Sequence, residues 1–169
     1  FKYFDLIFEG NLKVRNPWNI LDKDYNFITN RQVVKLCNGK ALIEEFTKKF
    51  NVDMIYFIRH PIPQSLSVIK KEWGYSPIHA FLSNDEFVDK YLNDNRLKVV
   101  NNILSSGTLL EKHVLNWVLQ NMIPLKSTQK KNWFILSYEE LVMHPNKIID
   151  ILADRFNLEN KEAMYKKVD

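Results

Sequence analysis

Two short runs in this chain are apolar without alternation: Met54-Ile55-Tyr56-Phe57-Ile58, and Trp133-Phe134-Ile135-Leu136 between Asn132 and Ser137. Strands apolar on both faces belong inside a parallel sheet covered by helices, so each run predicts a buried strand. A third strand is predicted at Gln32-Val33-Val34-Lys35-Leu36-Cys37, which Asn38-Gly39 ends. Between it and the run at 54–58, residues 40–50 place Leu42, Ile43 and Phe46 on one face, the spacing of a helix. Strand, helix and strand in succession make a βαβ unit. Pro61 and Pro63 stop the strand at 54–58, and Pro63 suits the first position of a helix that carries Leu66, Ile69 and Trp73 and ends at Gly74. Residues 75–125 read as all-helical, with segments near 84–92, 96–105 and 108–122. In the last of these, Leu110, Val114, Trp117 and Val118 share a face, and Pro124 with a lysine-rich loop closes the region. Pro145 opens a helix through Phe156 with Ile148, Ile149 and Leu152 as its buried stripe, and a short polar helix follows Asn160. At the front, Phe1, Phe4, Leu6 and Ile7 suit the end of an amphipathic helix, 16–19 a turn and 22–30 a loop.

The pattern is that of an α/β chain with at least three strands in a mainly parallel sheet. Its 169 residues predict a single domain, with 75–125 as a helical insertion or cover within it. A composition 46% apolar and 26% charged argues against disorder, because enough apolar surface exists to offset chain entropy. The single cysteine, Cys37, excludes a disulfide framework and a multi-cysteine zinc site. It suits the cytosol slightly better than a luminal compartment without deciding between them. No run is long and apolar enough to span a membrane. The first residues carry neither an initiator Met nor a signal core, so the chain reads as beginning mid-protein. The net charge of +4 comes from lysines spread along the chain. The densest cluster, 126–131, has no aromatic within it, so nucleic acid is not an expected partner. His60, His79, His113 and His144 are scattered without ligand spacing, so no metal site is expected. The four glycines, Gly10, Gly39, Gly74 and Gly107, stand too far apart to build either common phosphate-cradling loop.

In parallel sheets ligands gather at the carboxyl ends of the strands. That places weight on Lys35 to Asn38, Arg59 to Ser67 and Ser137 to Glu140. Arg59 directly follows a predicted strand, and its planar donors suit a pair of phosphate oxygens. The helix after it offers an N-terminal end that favours anions through free N–H groups and its dipole. Ser67, in the first turns of that helix, adds a hydroxyl. The competing reading is an arginine paired to a carboxylate and a serine on a solvent face.

Ile55-Tyr56-Phe57-Ile58-Arg59-His60-Pro61, with Ser67 eight positions after Arg59, resembles the second cofactor motif of the sulfotransferases. Ser137-Tyr138-Glu139-Glu140-Leu141, followed by Pro145, resembles the family's later Tyr-Glu-Asp-Leu segment, with Glu140 in place of Asp. Lys35, 24 residues before Arg59, matches the spacing of the family's Lys-x-His segment. The resemblance covers about residues 31–158. It implies a P-loop-NTPase-like three-layer α/β/α fold, present here as a partial sulfotransferase domain. It also implies 3′-phosphoadenosine 5′-phosphosulfate as cofactor, Arg59 and Ser67 on its 3′-phosphate, Tyr138 beside its adenine, and Lys35 as a catalytic cation. The activity implied is transfer of a sulfuryl group to a hydroxyl or amine of a small molecule or glycan. Two departures bear on it. Cys37 stands where the cytosolic members carry a histidine base, and a thiol is a poor base at neutral pH. The family's 5′-phosphosulfate loop has no counterpart, so the chain alone is expected to be inactive. A degenerate binding module without catalysis is the alternative. A nucleotide kinase of related fold is a weaker one, since Asp53 precedes its strand rather than following it.

Overall fold

A computed structural model of the chain describes residues 2–9, 33–36, 39–50, 52–74, 78–128 and 133–167. The chain divides into two units, Phe1–Asn38 and Gly39–Asp169. In the first unit a short helix, α1, spans Lys2–Phe8. Residues 33–36 form no strand, and Val33 is 90% exposed. The strand expected over 32–37 is therefore not formed by its described residues. A β-branched run becomes a strand only when a neighbour supplies the other half of the ladder. Gln32 and Cys37, like the turn at 16–19 and the loop at 22–30, lie outside the described residues.

The second unit is mostly helical around a small parallel sheet. A 3-10 turn at Lys40–Leu42 leads into α2, Ile43–Lys49. Strand β1, Met54–Ile58, precedes α3, Pro61–Lys70, which starts at the proline that stops the strand. Four helices follow: α4 at Ile78–Leu82, α5 at Asp85–Tyr91, α6 at Asp94–Ser106 and α7 at Leu109–Lys126. Strand β2, Trp133–Ser137, then runs into α8, Tyr138–Met143; α9, Pro145–Phe156; and α10, Lys161–Tyr165. β1 and β2 pair in parallel, Met54 against Trp133 through Ile58 against Ser137, and are the only two strands among the described residues.

The helix boundaries follow from capping chemistry. Asn84, Asn93 and Thr108 each present a side-chain oxygen to the N–H three residues on. At Thr108 the Glu111 carboxylate returns the bond to the Thr108 N–H at 2.7 Å, closing a capping box. Gly107 makes the tight junction between α6 and α7, where a Cβ would stand 2.5 Å from the Ile103 carbonyl oxygen. Pro124 does not end α7, as its position had suggested; the helix continues through it to Lys126, with the ring buried. Having no N–H, Pro124 cannot bond the carbonyl four residues back, so α7 passes through it one backbone hydrogen bond short.

Two apolar clusters hold the second unit. Ile78, Phe87, Tyr91, Leu92, Val100, Leu115 and Leu119 pack where α4 to α7 meet, a core made by the helical stretch itself. On α7 the fully buried positions include Leu115 and Leu119, while the expected stripe of Leu110, Val114, Trp117 and Val118 is only half-buried. Ile43 of α2, Tyr56 of β1 and Trp133 of β2 form the second cluster, on one face of the sheet. On the other face Phe134 meets Phe156 of α9 edge-on, ring centres 6.3 Å apart. Ile55 and Phe57 on that face are 47% and 46% exposed. β1 is thus apolar on both faces but covered on one, where the unbroken apolar run predicted cover on both.

Candidate functional site at the strand ends

The parallel register determines what meets beyond the sheet. Because Ile58 pairs with Ser137, the next residues, Arg59 and Tyr138, leave the carboxyl ends of β1 and β2 side by side. The Arg59 guanidinium carbon lies 4.4 Å from the centre of the Tyr138 ring, a stacked cation on an aromatic face. Phe57 meets the same ring edge-on, centres 6.3 Å apart, and steadies it from the strand side. Arg59 Nε is buried and finds no hydrogen-bond partner among the described residues. A buried N–H without an acceptor costs about 1–3 kcal/mol, and an anion oxygen would satisfy it.

Ser137 is at once the last residue of β2 and the N-cap of α8. Its hydroxyl oxygen accepts the Glu140 N–H at 3.1 Å and its O–H donates to the Glu140 carboxylate at 3.0 Å. Ser137 and Glu140 thus hold the start of α8, and with it Tyr138, which is the first helical residue. Glu139 crosses to the other loop: its Oε1 accepts the His60 N–H at 3.0 Å. That bond is the main reason its carboxyl titrates below the usual range; its own backbone N–H and the nearby charges of Arg59 and His60 add to it.

The amino end of α3 proves different from the expectation. The four N–H groups that a helix start leaves unpaired are all accounted for. The His60 N–H goes to Glu139, and the Ile62 N–H goes to His60 Nδ1 at 3.3 Å. Pro61 and Pro63 have no N–H to offer. The Gln64 N–H then makes the first intrahelical bond, to the His60 carbonyl at 3.2 Å. The expected free backbone donors are therefore spent, and an anion at this edge must be held by side chains. His60 is the cap of α3.

Arg59 and Tyr138 are brought together. Ser67 sits half-buried in the second turn of α3, and no hydrogen bond joins it to either among the described residues. At 1.5 Å per residue it lies roughly 9 Å along the axis from Pro61. Lys35 is exposed in the first unit, in the segment that forms no strand. Among the described residues no group of His, Cys, Asp and Glu has the arrangement of a metal site. No described helix is long and apolar enough to cross a membrane.

A second polar cluster lies under the sheet and was not anticipated. Asn121, fully buried in α7, accepts from Lys40 Nζ at 3.2 Å and from the Tyr56 hydroxyl, and donates to the Trp117 carbonyl at 2.6 Å. Trp117 Nε1 donates to Gln64 Oε1 of α3 at 3.1 Å. Burial pushes the Lys40 ammonium down from its ordinary range and the Tyr56 phenol up. The one sequence signal was Asn121 itself, an amide amid the apolar residues of a long helix. Trp117 thereby serves as a half-buried tie between α7 and α3.

The residues at the strand ends fit the 3′-phosphate and adenine portion of the cofactor that the motifs imply. They supply a cation with an unsatisfied buried N–H and a fixed aromatic ring, the two elements such a portion needs. Comparison with protein-family models, with curated proteins and with solved structures gave no match.

Proposed function

We propose that this chain forms the 3′-phosphate and adenine part of the cofactor site of a sulfotransferase that uses 3′-phosphoadenosine 5′-phosphosulfate. In this reading the domain is P-loop-NTPase-like. The single observation that carries it is the stacked pair of Arg59 and Tyr138, set by register at the carboxyl ends of two adjacent parallel strands. The cofactor supplies an activated sulfuryl group for an acceptor hydroxyl or amine of a small molecule or glycan. The chain's own residues bind and orient. Arg59 donates to phosphate oxygens through a guanidinium already held on an aromatic face, so little of its conformational freedom remains to be lost on binding. Tyr138 offers ring surface to a base. Ser67 adds a hydroxyl if the phosphate reaches the second turn of α3.

A binding module without catalysis is the second reading. It is favoured by the chemistry of Arg59 and Tyr138, groups suited to binding rather than reaction, and by Glu139, a carboxylate at the same edge, being committed to a backbone N–H. Titration calorimetry with adenosine 3′,5′-bisphosphate tests the shared claim. Saturable binding is expected, weakened about 10- to 100-fold by Arg59→Ala, the value of a charge-assisted phosphate contact. No binding by the intact chain, or equal binding by the variant, refutes it. Since the chain alone is expected to be inactive under either reading, sulfuryl transfer to a phenol or amino-sugar acceptor separates them only when the chain is compared with a longer form of the protein.

A further inference from the structure

We propose that Glu139 is a positioning residue that sets the anion-binding geometry of Arg59 by fastening the turn after β1 to the first turn of α8. The claim of ligand binding rests on the proposed function; the fastening itself does not. Three observations carry it. First, the Glu139 carboxylate accepts the His60 N–H across 79 residues of sequence at 3.0 Å, so the two strand-end turns are tied side chain to backbone. Second, the residues adjacent to the two ends of this tie are the stacked pair: Arg59 precedes His60 and Tyr138 precedes Glu139. Third, His60 is the N-cap of α3, and the bond to Glu139 satisfies the one helix-start donor that neither proline nor the His60 ring accounts for.

Without the tie, the His60 N–H loses its acceptor and the turn gains freedom at the residue where Arg59 leaves the strand. The guanidinium then samples positions off the Tyr138 ring, and an anion must select one of them. What the turn requires is an acceptor oxygen rather than a negative charge. The carboxylate stands close enough to Arg59 for their charges to interact, so removing charge alone relieves competition for an anionic ligand. This separates Glu139→Gln, which keeps an acceptor, from Glu139→Ala, which does not.

The test uses the full chain labelled with nitrogen-15 and follows the His60 amide by NMR hydrogen exchange, alongside calorimetry with adenosine 3′,5′-bisphosphate. Thermal unfolding is recorded for each variant, since Glu139 is half-buried at the edge of the unit and both variants should fold. The expected result is slow exchange at His60 in the wild type and in Glu139→Gln, and exchange at least tenfold faster in Glu139→Ala. Affinity is expected to fall about tenfold in Glu139→Ala and to stay at or above the wild-type value in Glu139→Gln. Equal His60 protection in all three proteins overturns the tie. Undiminished affinity in Glu139→Ala overturns its role in binding, as does equal loss in both variants. If the wild type does not bind the bisphosphate, the sulfotransferase reading fails, while the exchange comparison still decides the fastening.

Discussion

Replacing Asn121 by Ala is the sharpest test of what holds the helical layer to the sheet. The amide is fully buried and serves three partners on three elements: Lys40 Nζ, the Tyr56 hydroxyl and the Trp117 carbonyl. Truncation leaves a part-buried ammonium and a buried phenol without their shared acceptor. An orphaned neutral group costs about 1–3 kcal/mol and a charged one more. A loss of about 3–5 kcal/mol is expected, which is about 6–20 °C in the unfolding midpoint for a domain of this size. Denaturant titration of the wild type, Asn121→Ala, Lys40→Met and the double variant gives the coupling between the two residues. It should reach about 1–2 kcal/mol, because Lys40→Met removes the charge that makes the truncation costly. The deficit should also shrink at alkaline pH. Burial lowers the folded-state pKa of Lys40 below its ordinary value, so between the two values the unfolded chain holds more protons. Stability then rises with pH through that window, as the buried charge is discharged. A loss below about 1 kcal/mol, or strict additivity with Lys40→Met, refutes the reasoning.

Three further results should follow. Leu119→Ala, at a fully buried position in the helical core, should cost about 3–5 kcal/mol by chemical denaturation. Ile55→Lys on the open face of β1 should cost less than about 1 kcal/mol, and equal costs would mean that this face is covered. Burial lowers the pKa of His113 in α7, so the unfolded chain protonates it first as pH falls. Its contribution is complete above about pH 6.5 and is lost below that value, at up to about 1.4 kcal/mol per pH unit. An unfolding midpoint in His113→Gln that falls with acidity as steeply as the wild type's contradicts this.

The parts legible in the sequence were those that local punctuation defines. The apolar run at 54–58 closed by two prolines, the run ending at Ser137, and the helix from Pro145 to Phe156 all lie where the pattern put them. What the pattern missed depends on neighbours distant in sequence. Residues 33–36 have strand propensity but no strand pairing, and the outer face of β1, apolar at Ile55 and Phe57, stays about half exposed. The strand-end site shows the same division. Arg59 after a strand was readable, and so was the motif around Tyr138. Their stacking depended on a register that pairs Ile58 with Ser137. The closed amino end of α3 depended on a carboxylate 79 residues away, which a helix-start rule applied to Pro61 and Pro63 cannot supply.

The central claim is that Arg59, stacked on Tyr138, receives a 3′-phosphate. Its most direct test compares the affinities of the intact chain for adenosine 3′,5′-bisphosphate and adenosine 5′-monophosphate, ligands that differ only in that group. The bisphosphate is expected to bind about 10- to 100-fold more tightly in the wild type, with the preference abolished in Arg59→Ala. Equal affinities in the wild type, or a preference that survives loss of the guanidinium, would contradict it.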